Sequence, residues 1–548
     1  MNRKYVKISS LIISATFAFS MLSGCGKAAE TTTAQAATQA VTGTQQAEDK
    51  PIYPLQTDVT LKYWVPLPMT ISANYKNLGD TPFSKELEKK TGVKVEYLHP
   101  AIGQEKDSFN ILIASADLPD MMEYTWGKDF PGGPEAAIQN NIILKLNDTL
   151  QNNAPNLTSY LNANGAVNKM VKTDNGSYYG FPFIRGDESL MVFYGLAVRN
   201  DWLKDLGLQV PATIDEWYEV LKAFKEKKGA NAAFSYAGSG LNPFLPFDSG
   251  VFIGAYGIKK DFYKEDGEIK FGPYEAGYKD WLATMAKWYK EGLLDKNFAT
   301  LDGKGFDASF VGGNTGATAL YAGSGLSKYI PALKEKDANA DLVAAPYPVL
   351  TKGATPMMGQ KDNPYNGITV AVAASSKNVD VAEKWLDYNY SEEGTMLNNF
   401  GIEGVSYNMV NNYPEMTDEV LKNANNLPVV QAWSQYARAT GQGPLIQRKE
   451  YIEQYYALPQ QQDALKVWGS TDAANYNLPP LTPTQDESTQ YAKIINDVNT
   501  YVNEYTLKVI MGSDTTDNFD KYIEQLKKLN IDKAIEIQQS AYDRYDKR

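Results

Sequence analysis

Short apolar strands alternate with amphipathic helices in the first part of the chain. Residues 59–65 (VTLKYWV) and 93–98 (VKVEYL) are rich in β-branched and aromatic side chains, and they predict two strands. Residues 82–90 between them predict a helix that ends at Gly92. A helix at 109–116 and a third strand at MMEY (121–124) follow. This alternation is typical of a parallel α/β sheet, which is the predicted fold class.

Helical periodicity becomes stronger further along the chain. Thr213 and Glu216 have the spacing of a capping box and precede an amphipathic run, WYEVLKAFKEK. Helices are also predicted at 278–291 and 381–390, with a restart at SEEG (391–394). The tail from about residue 487 to 547 predicts a series of amphipathic helices.

The N-terminus differs from the rest of the chain. Arg3, Lys4 and Lys7 precede an apolar run at 11–21, which is too short to span a membrane and is typical of a signal peptide. The chain's single cysteine, Cys25, ends the tetrapeptide LSGC, which resembles a bacterial lipobox. We therefore expect a signal peptide at 1–24 and lipidation of Cys25. The alternative is an inert buried cysteine beside an uncleaved helix.

Residues 25–50 contain almost no large apolar side chain. They cannot bury enough surface to offset the entropy of ordering, so they predict a flexible tether. With Cys25 acylated, the tether would anchor a globular body on the outer face of the cytoplasmic membrane, in contact with membrane lipid and outside the cell.

Length and charge limit the possible partners of that body. The chain has 548 residues, so about 500 follow the tether, which is too many for one ordinary core and predicts two or more lobes. Hydrophobic residues make up 43%, and the formal net charge is −12. The acidic balance argues against nucleic acid as a partner.

The sequence offers few groups for catalysis. His99 is the single histidine, and its position beside Pro100 favours a loop role. No nucleophile elbow, phosphate-binding loop or calcium-loop motif is present, so no cofactor and no metal at the site are expected, while the sequence leaves a structural metal open. Paired carboxylates of a glycoside hydrolase are assembled in three dimensions, and the sequence leaves that alternative open.

Aromatic side chains are abundant, with 36 Tyr and 9 Trp. Their faces can stack on sugar rings in an apolar cleft with a few polar groups. Helical position predicts a core role for some of the tryptophans: Trp202, Trp217, Trp281, Trp288 and Trp385. The hexapeptide YAGSGL occurs at 236–241 and 321–326, but the flanking sequences do not match, so no internal repeat is inferred.

Several stretches together resemble the large lipoprotein solute-binding subunits of bacterial carbohydrate ABC importers. They occur in that family's order from near residue 59 to the C-terminus. The matching segments are ASADLPDMMEY (114–124), NGSYYGFPF (175–183), VRNDWLKDLGLQVPATIDEWYEVLKAFK (198–225), YNYSEEGTMLNNFGIEGVSYN (388–408), LPPLTPTQDE (478–487) and LKKLNIDKAIEIQQSAYDRY (526–545). One departure is Asn530, where the family would place glycine at a helix end.

The resemblance implies a periplasmic-binding-protein-like fold, with two α/β lobes, a hinge and an interlobe cleft. The order of elements places lobe one at 51–185 plus 366–410, and lobe two at 186–365 plus 411–548 with the C-terminal helices. It also implies that a closed, ligand-bound monomer docks on membrane permease subunits.

In such a fold, the ends of the strands and the lobe crossings would line the cleft. Arg185 and Glu403 are alternatively expected to form an ion pair between the lobes. The predicted ligand-binding residues are Tyr63, Trp64, Trp126, Arg185, Asp187, Phe247, Asp248, Tyr321, Ser324, Glu403, Tyr407 and Trp433.

The resemblance thus predicts a non-enzymatic lipoprotein that captures a carbohydrate, in particular an oligosaccharide, for an ABC importer. Three alternatives stay open: a surface-anchored polysaccharide hydrolase or lyase, a binder of peptide or another polar nutrient, and a sensor that presents its ligand to a membrane kinase.

Overall fold

The computed structural model describes residues 51–115, 117–237, 242–425 and 427–548. The predicted signal peptide, Cys25 and the tether lie outside these ranges, as do residues 238–241 of the first YAGSGL. The strands are β1 (Thr60–Trp64), β2 (Lys94–Leu98), β3 (Met121–Tyr124), β4 (Phe181–Arg185), β5 (Tyr194–Arg199), β6 (Phe262–Glu265), β7 (Glu268–Phe271), β8 (Ala317–Tyr321), β9 (Leu342–Ala345), β10 (Tyr365–Val372), β11 (Tyr407–Val410), β12 (Tyr413–Met416) and β13 (Ile446–Gln447).

Helices make up most of the remaining regular structure. The longer ones, of seven or more residues, are Pro82–Thr91, Glu105–Ser115, Gly133–Gln139, Pro155–Ala163, Asn200–Leu206, Ile214–Lys228, Ala276–Lys290, Gly303–Val311, Ser327–Lys336, Val379–Tyr388, Glu392–Phe400, Pro459–Gly469, Gln485–Ile510, Phe519–Lys528 and Ile531–Asp546. Shorter helices are Met69–Ser72, Trp126–Asp129, Leu150–Asn153, Gly165–Met170, Leu245–Asp248, Asp418–Leu421, Val429–Ser434, Glu450–Tyr455 and Ala473–Tyr476. In the described ranges, no helix has the length and apolarity needed to cross a membrane.

Six strands form the larger sheet, in the order β13-β4-β10-β3-β1-β2. β1 is parallel to β2 and to β3, which confirms the parallel α/β arrangement predicted for residues 59–124. β10 is antiparallel to β3 and to β4, and β13 is parallel to β4. The carboxyl ends of β1, β2, β3, β4 and β13 therefore share one edge, which we call the carboxyl edge.

The next largest sheet has three strands in the order β8-β5-β9, with β5 antiparallel to both neighbours. Its core is the larger one and includes the long C-terminal helices. The pairs β6-β7 and β11-β12 form separate antiparallel two-stranded sheets. The prediction that the helical tryptophans belong to the core is confirmed, since Trp217, Trp281 and Trp288 are at most 1% exposed and Trp385 and Trp202 are 2% and 8% exposed.

Local capping explains where several helices begin and end. Thr213 and Glu216 form the predicted capping box of the helix Ile214–Lys228. Gly92 has φ +73° and ends the helix Pro82–Thr91 as predicted. Asn530 adopts φ +65°, and asparagine tolerates this left-handed conformation better than most residues do. The departure from glycine there is thus accommodated at a helix boundary.

Within the described ranges, the chain passes between the six-stranded and the three-stranded sheet three times, and each passage uses the carboxyl edge. The first crossing, residues 186–193, joins β4 to β5, and the second, residues 346–364, joins β9 to β10. The third, residues 448–458, leads from β13 to the helix Pro459–Gly469, where Trp468 Nε1 donates to Leu196 O of β5 (2.9 Å). Residues 446–447 pair with β4 and so lie in the six-stranded sheet.

Candidate functional site

A cavity of about 160 Å³ lies where the first and third crossings leave the carboxyl edge. Aromatic side chains and neutral polar groups dominate its lining. The lining residues are Phe183, Arg185, Ser189, Leu190, Val192, Phe193, Ala439, Thr440, Gly441, Gln442, Gln447, Tyr451, Ile452 and Tyr456. Ligands of open α/β sheets bind beyond the carboxyl ends of the strands, so this cavity is the candidate site.

A larger hollow of about 920 Å³ lies at the opposite edge of the six-stranded sheet. It is bordered by residues 54–60 and by Lys85, Lys89 and Lys94, near the amino ends of β1 and β2. Its position relative to the strands makes it a poorer candidate than the cavity at the crossings.

Arg185 is the charged side chain of the candidate site. Its Nη2 forms an ion pair with Asp362 Oδ2 at 3.0 Å, and its guanidinium carbon lies 5.7 Å from the ring centres of Phe183 and Phe193. Its backbone N–H donates to Pro364 O at 2.8 Å. Arg185 therefore pairs with the second crossing, and the alternative expectation that it pairs with Glu403 is wrong.

Unpartnered polar atoms concentrate along the carboxyl edge. Buried polar groups normally have hydrogen-bond partners, so each exception is notable. Among the described residues, the buried side-chain atoms of this edge that lack a partner are Thr70 Oγ1, Trp126 Nε1, Arg185 Nη1, Trp433 Nε1, Arg438 Nη1 and Thr440 Oγ1. Arg185 and Thr440 line the cavity itself.

A buried ion pair fixes the segment that carries Thr440. Arg438 Nη2 lies 3.0 Å from Glu123 Oε2, and these side chains are 4% and 8% exposed. The Tyr63 hydroxyl also donates to Glu123 Oε2. Burial and the Glu123 carboxylate raise the pKa of Tyr63 well above its usual range. Tyr63 therefore stays a neutral donor that holds Glu123 in place.

His99 is held by backbone groups on both ring nitrogens. Nδ1 lies 2.7 Å from Val65 O, and Nε2 accepts from the Leu78 N–H at 3.0 Å. Burial lowers the pKa of His99, so the imidazole is neutral at pH 7. This arrangement confirms the predicted loop role.

An aromatic cluster connects the candidate site to the three-stranded sheet. The ring centres of Trp433 and Tyr451 are 4.4 Å apart, and Tyr451 stacks on Tyr455 at 6.0 Å. A Cβ added at Gly323 would lie 3.0 Å from Tyr455 Cε1. Glycine at this position in the second YAGSGL, which forms a π-helical turn at Ala322–Leu326, thus permits close approach of that ring.

Several predicted ligand-binding residues lie at or near the cavity. Arg185 lines it, and Asp187 accepts hydrogen bonds from the N–H and hydroxyl of Ser189 at 2.9 and 2.6 Å. Tyr321 is 41% exposed and stacks on Phe193 at 6.1 Å. Trp433 is fully buried behind Tyr451. Their contact with ligand stays a prediction.

Other predicted residues lie in the cores. Trp64 packs on Tyr124 at 5.7 Å and is 6% exposed, while Trp126 is fully buried against Phe109. Phe247 is fully buried against Trp281 at 5.1 Å.

The remaining predicted residues are apart from the cavity lining. Asp248 forms an ion pair with Lys260 at 3.6 Å. Ser324 and Glu403 are exposed. Tyr407, the first residue of β11, packs on Phe400. A ligand role for each of these residues stays a prediction.

Sequence reasoning missed Thr440, Gln442, Gln447 and Tyr451. They belong to one stretch, TGQGPLIQRKEY (440–451), in which a glycine-rich polar run precedes a tyrosine-rich helix. The sequence signal for a binding segment here was the combination of glycines, which free the backbone, with amide side chains and aromatic faces. Within the ranges that the structure describes, no three His, Cys, Asp or Glu side chains are grouped as metal ligands.

Comparison with known proteins gives a consistent assignment. The profile of the bacterial extracellular solute-binding protein family matches residues 69–396. The fructooligosaccharide ABC transporter substrate-binding protein FusA of Streptococcus pneumoniae is 25% identical over 560 residues, covering 95% of this chain and 98% of FusA. Lipoprotein LipO of Bacillus subtilis is 27% identical over 366 residues, covering 64% and 68% of the two chains.

A solved structure agrees with the family assignment. The alginate-binding protein AlgQ2, solved without calcium ion, superposes with a TM-score of 0.71 at 25% identity, covering 90% of this chain and 100% of AlgQ2. The predicted periplasmic-binding-protein-like fold is thus confirmed. The chain belongs to the bacterial extracellular solute-binding protein family.

Proposed function

We propose that this solute-binding protein captures an oligosaccharide in the cavity at the carboxyl edge and delivers it to the permease subunits of an ABC importer. The observation that carries the proposal is the lining of that cavity. Phe193, Tyr451 and Tyr456 supply aromatic faces, while Ser189 and Gln442 supply neutral polar groups. Such a mixture suits the apolar faces and hydroxyl rim of sugar rings. FusA and AlgQ2, whose names specify saccharides, support the ligand class.

We further propose that the lobes close around the ligand by rotation at the three crossings. The pairing of β13 with β4 supports moving residues 411–447 from the predicted lobe two to lobe one. Lobe one would then comprise 51–185 plus 366–447, and lobe two 186–365 plus 448–548. Ligand would favour the closed state only through its greater affinity for that state.

The protein would act outside the cell, anchored by acylated Cys25 behind the tether 25–50. The name of LipO supports a lipoprotein, and the LSGC sequence at 22–25 supports the site. A Cys25→Ala variant should then appear in the culture medium or remain uncleaved, while the wild type sediments with membranes. Detergent-independent release of the wild type would contradict the anchor.

The binding proposal is tested by calorimetry and thermal unfolding with a panel of oligosaccharides, monosaccharides and peptides. A ligand at 100 times its Kd should add about 2.7 kcal/mol to the free energy of unfolding. Recovery of intact sugar would support a binder without enzymatic activity. Cleaved sugar would favour the hydrolase or lyase, and a response to peptides alone would overturn the carbohydrate assignment.

A further inference from the structure

Exposed apolar side chains are grouped in one segment beside the third crossing. Val405, Met409, Val410 and Leu421 are 42%, 44%, 38% and 39% exposed, and all four fall within residues 405–421. β11 and β12 of this segment form their own two-stranded sheet. Exposed apolar side chains that are grouped mark interaction sites, whereas single ones are ordinary. We call these four side chains the hairpin patch.

The hairpin patch belongs to one well-defined unit of structure. Asn411 and Asn412 have φ of +52° and +62°, the left-handed conformation that a tight two-residue turn between twisted strands requires. The Thr417 hydroxyl donates to Val405 O at 2.6 Å, and Thr417 is the residue before the helix Asp418–Leu421. These bonds connect the loop, the hairpin and the helix that carry the patch.

The hairpin is attached to the crossing that lines the candidate cavity. Gln454 Nε2 donates to Pro414 O at 2.6 Å, and Gln454 Oε1 accepts from the Met416 N–H at 2.7 Å. Gln454 lies in the helix Glu450–Tyr455, and Tyr451 of the same helix lines the cavity. A partner that binds the hairpin patch therefore lies beside the cavity from which the ligand must be released.

The charges around the patch have one sign. Residues 388–421 contain no lysine, arginine or histidine. Lys90 pairs with Glu393 at 2.5 Å and Lys422 pairs with Asp418 at 3.1 Å, so nearby cations offset two of the acids. An apolar centre with a charged rim is the usual composition of a protein interface, and an acidic rim attracts a basic partner and repels an anionic lipid surface. The exposed acids of this segment are Glu392, Glu393, Glu403, Glu415, Asp418 and Glu419.

We propose that the hairpin patch docks on the outer face of the importer's permease, on a surface where apolar side chains are surrounded by lysines and arginines. This inference rests on the proposed function, because it needs an importer as the partner. A ligand held at the carboxyl edge can enter the permease only if that edge faces it, and the hairpin lies beside the edge. The acidic rim disfavours the other surface within reach, an anionic membrane.

Site-specific photocross-linking identifies the partner. A photoreactive amino acid replaces Met409 in the full-length protein, expressed in the bacterium that encodes it, and the same amino acid replaces Met511 as the control. Met511 is 49% exposed and follows the helix Gln485–Ile510. Mass spectrometry should identify a permease subunit in the product from Met409 and not in that from Met511. Cross-links from Met409 to lipid or to a second copy of this chain, or no product at all, would overturn the proposal.

Transport measurements test the apolar and the acidic parts of the surface separately. Met409→Asp should lower uptake of the saccharide identified by calorimetry at least about tenfold, because it places a charge in the apolar centre of the interface. Glu415→Lys should lower uptake about threefold to tenfold, and this loss should shrink as the salt concentration rises. The matched controls are Met511→Asp and Glu524→Lys, at exposed residues of the C-terminal region, and both should keep wild-type uptake.

Saccharide binding distinguishes failure of this inference from failure of the proposed function. The purified variants should keep the wild-type Kd and melting temperature. Normal uptake by Met409→Asp would overturn the docking site and leave the binding function intact. Loss of saccharide binding in Met409→Asp would also overturn it, because the hairpin would then belong to the ligand site. A wild type that binds no saccharide, or binds one without importing it, would overturn the proposed function and the inference with it.

Discussion

Two arginines of this protein are almost equally buried but differ in how fully they are bonded. The Arg548 side chain is 3% exposed, and all three of its nitrogens donate. Nε and Nη2 bind Asp174 Oδ1 at 2.8 and 2.6 Å, Nη2 also binds Thr482 Oγ1 at 2.6 Å, and Nη1 binds the carbonyl oxygens of Lys169 and Lys172. Arg185, at 11% exposed, has Nη2 bound and Nη1 unpartnered among the described residues.

The difference separates a fully hydrogen-bonded guanidinium from one with an unpartnered nitrogen. Arg548 follows the C-terminal helix, which packs beside β7, where Gln539 bonds the backbone of Ile269. Its partners at 169–174 precede β4 of the other sheet, so the arginine joins the two parts of the molecule. A saturated guanidinium holds structure together and offers nothing to a ligand. Arg185 is held by Asp362, and its buried Nη1 has no partner among the described residues.

The largest predicted effect on stability comes from removing the side chain of Arg548, whose nitrogens are all hydrogen-bonded. Arg548→Ala should lower the free energy of unfolding by about 2–4 kcal/mol, because Asp174 loses one of its two guanidinium partners in a poorly solvated position. Urea denaturation measures the change. Arg548→Lys keeps the charge without the planar fork and should lose less. A loss below about 0.5 kcal/mol for Arg548→Ala would contradict the structural role.

The second-largest expected effect is a dependence of stability on pH. It arises from a third buried cation, Lys259, whose charge interacts with Asp362. Burial lowers the pKa of Lys259 to about 8, and Asp261 and Asp362 offset part of that shift. The unfolded state therefore binds more protons between pH 8 and 10.5, so the free energy of unfolding should rise with pH in that window. From pH 7 to 9.5 we expect a rise of about 2 kcal/mol from this group.

Lys259→Met isolates the contribution of that lysine. The variant should lack the rise with pH that the wild type has, when denaturation midpoints are compared at pH 7 and pH 9.5. Lys352→Met, at an exposed lysine that pairs with Glu216, is the control and should keep the wild-type slope. Identical slopes in wild type and Lys259→Met would show that the buried ammonium is not destabilised.

Removing the incompletely bonded arginine should affect stability less. Arg185→Gln should change the free energy of unfolding by less than about 1 kcal/mol, because Asp362 is one-third exposed and water can replace the lost partner. Equilibrium denaturation in urea measures this. A loss as large as that of Arg548→Ala would remove the distinction between the two arginines.

The smallest expected change in stability is at Thr440. Thr440→Val keeps the shape of the side chain and removes the hydroxyl, whose oxygen has no partner in the described chain. We expect stability within about 0.5 kcal/mol of the wild type and a weakening of saccharide binding by about fivefold, the value of one neutral hydrogen bond. Unchanged affinity in calorimetry would exclude Thr440 from the ligand contacts.

Local chemistry made much of the fold predictable. The capping box at Thr213, the glycine after Thr91 and the alternating strands β1 to β3 depend on neighbours in sequence, and the structure confirms each of them. The pairing of β13 with β4 was not predictable, because a two-residue strand carries no periodicity. Register between segments about 260 residues apart depends on tertiary packing.

The candidate site was predictable only in part, for a similar reason. Arg185 follows a strand and precedes a crossing, which is a position that the order of elements identifies. Thr440 and Gln442 lie in an irregular segment whose place beside Arg185 depends on the distant ion pair between Arg438 and Glu123. The sequence contains those charges but not their pairing. Burial of Trp126 and Phe247 likewise depends on packing that a helical or loop pattern does not specify.

A crystal structure of the protein with the saccharide that binds most tightly in the panel would test the central claim most directly. The account predicts a ligand oxygen 2.7–3.2 Å from a polar group of the cavity lining, with a sugar ring against Tyr451 or Phe193 and Arg548 still bound to Asp174. A saccharide bound away from the carboxyl edge would contradict it.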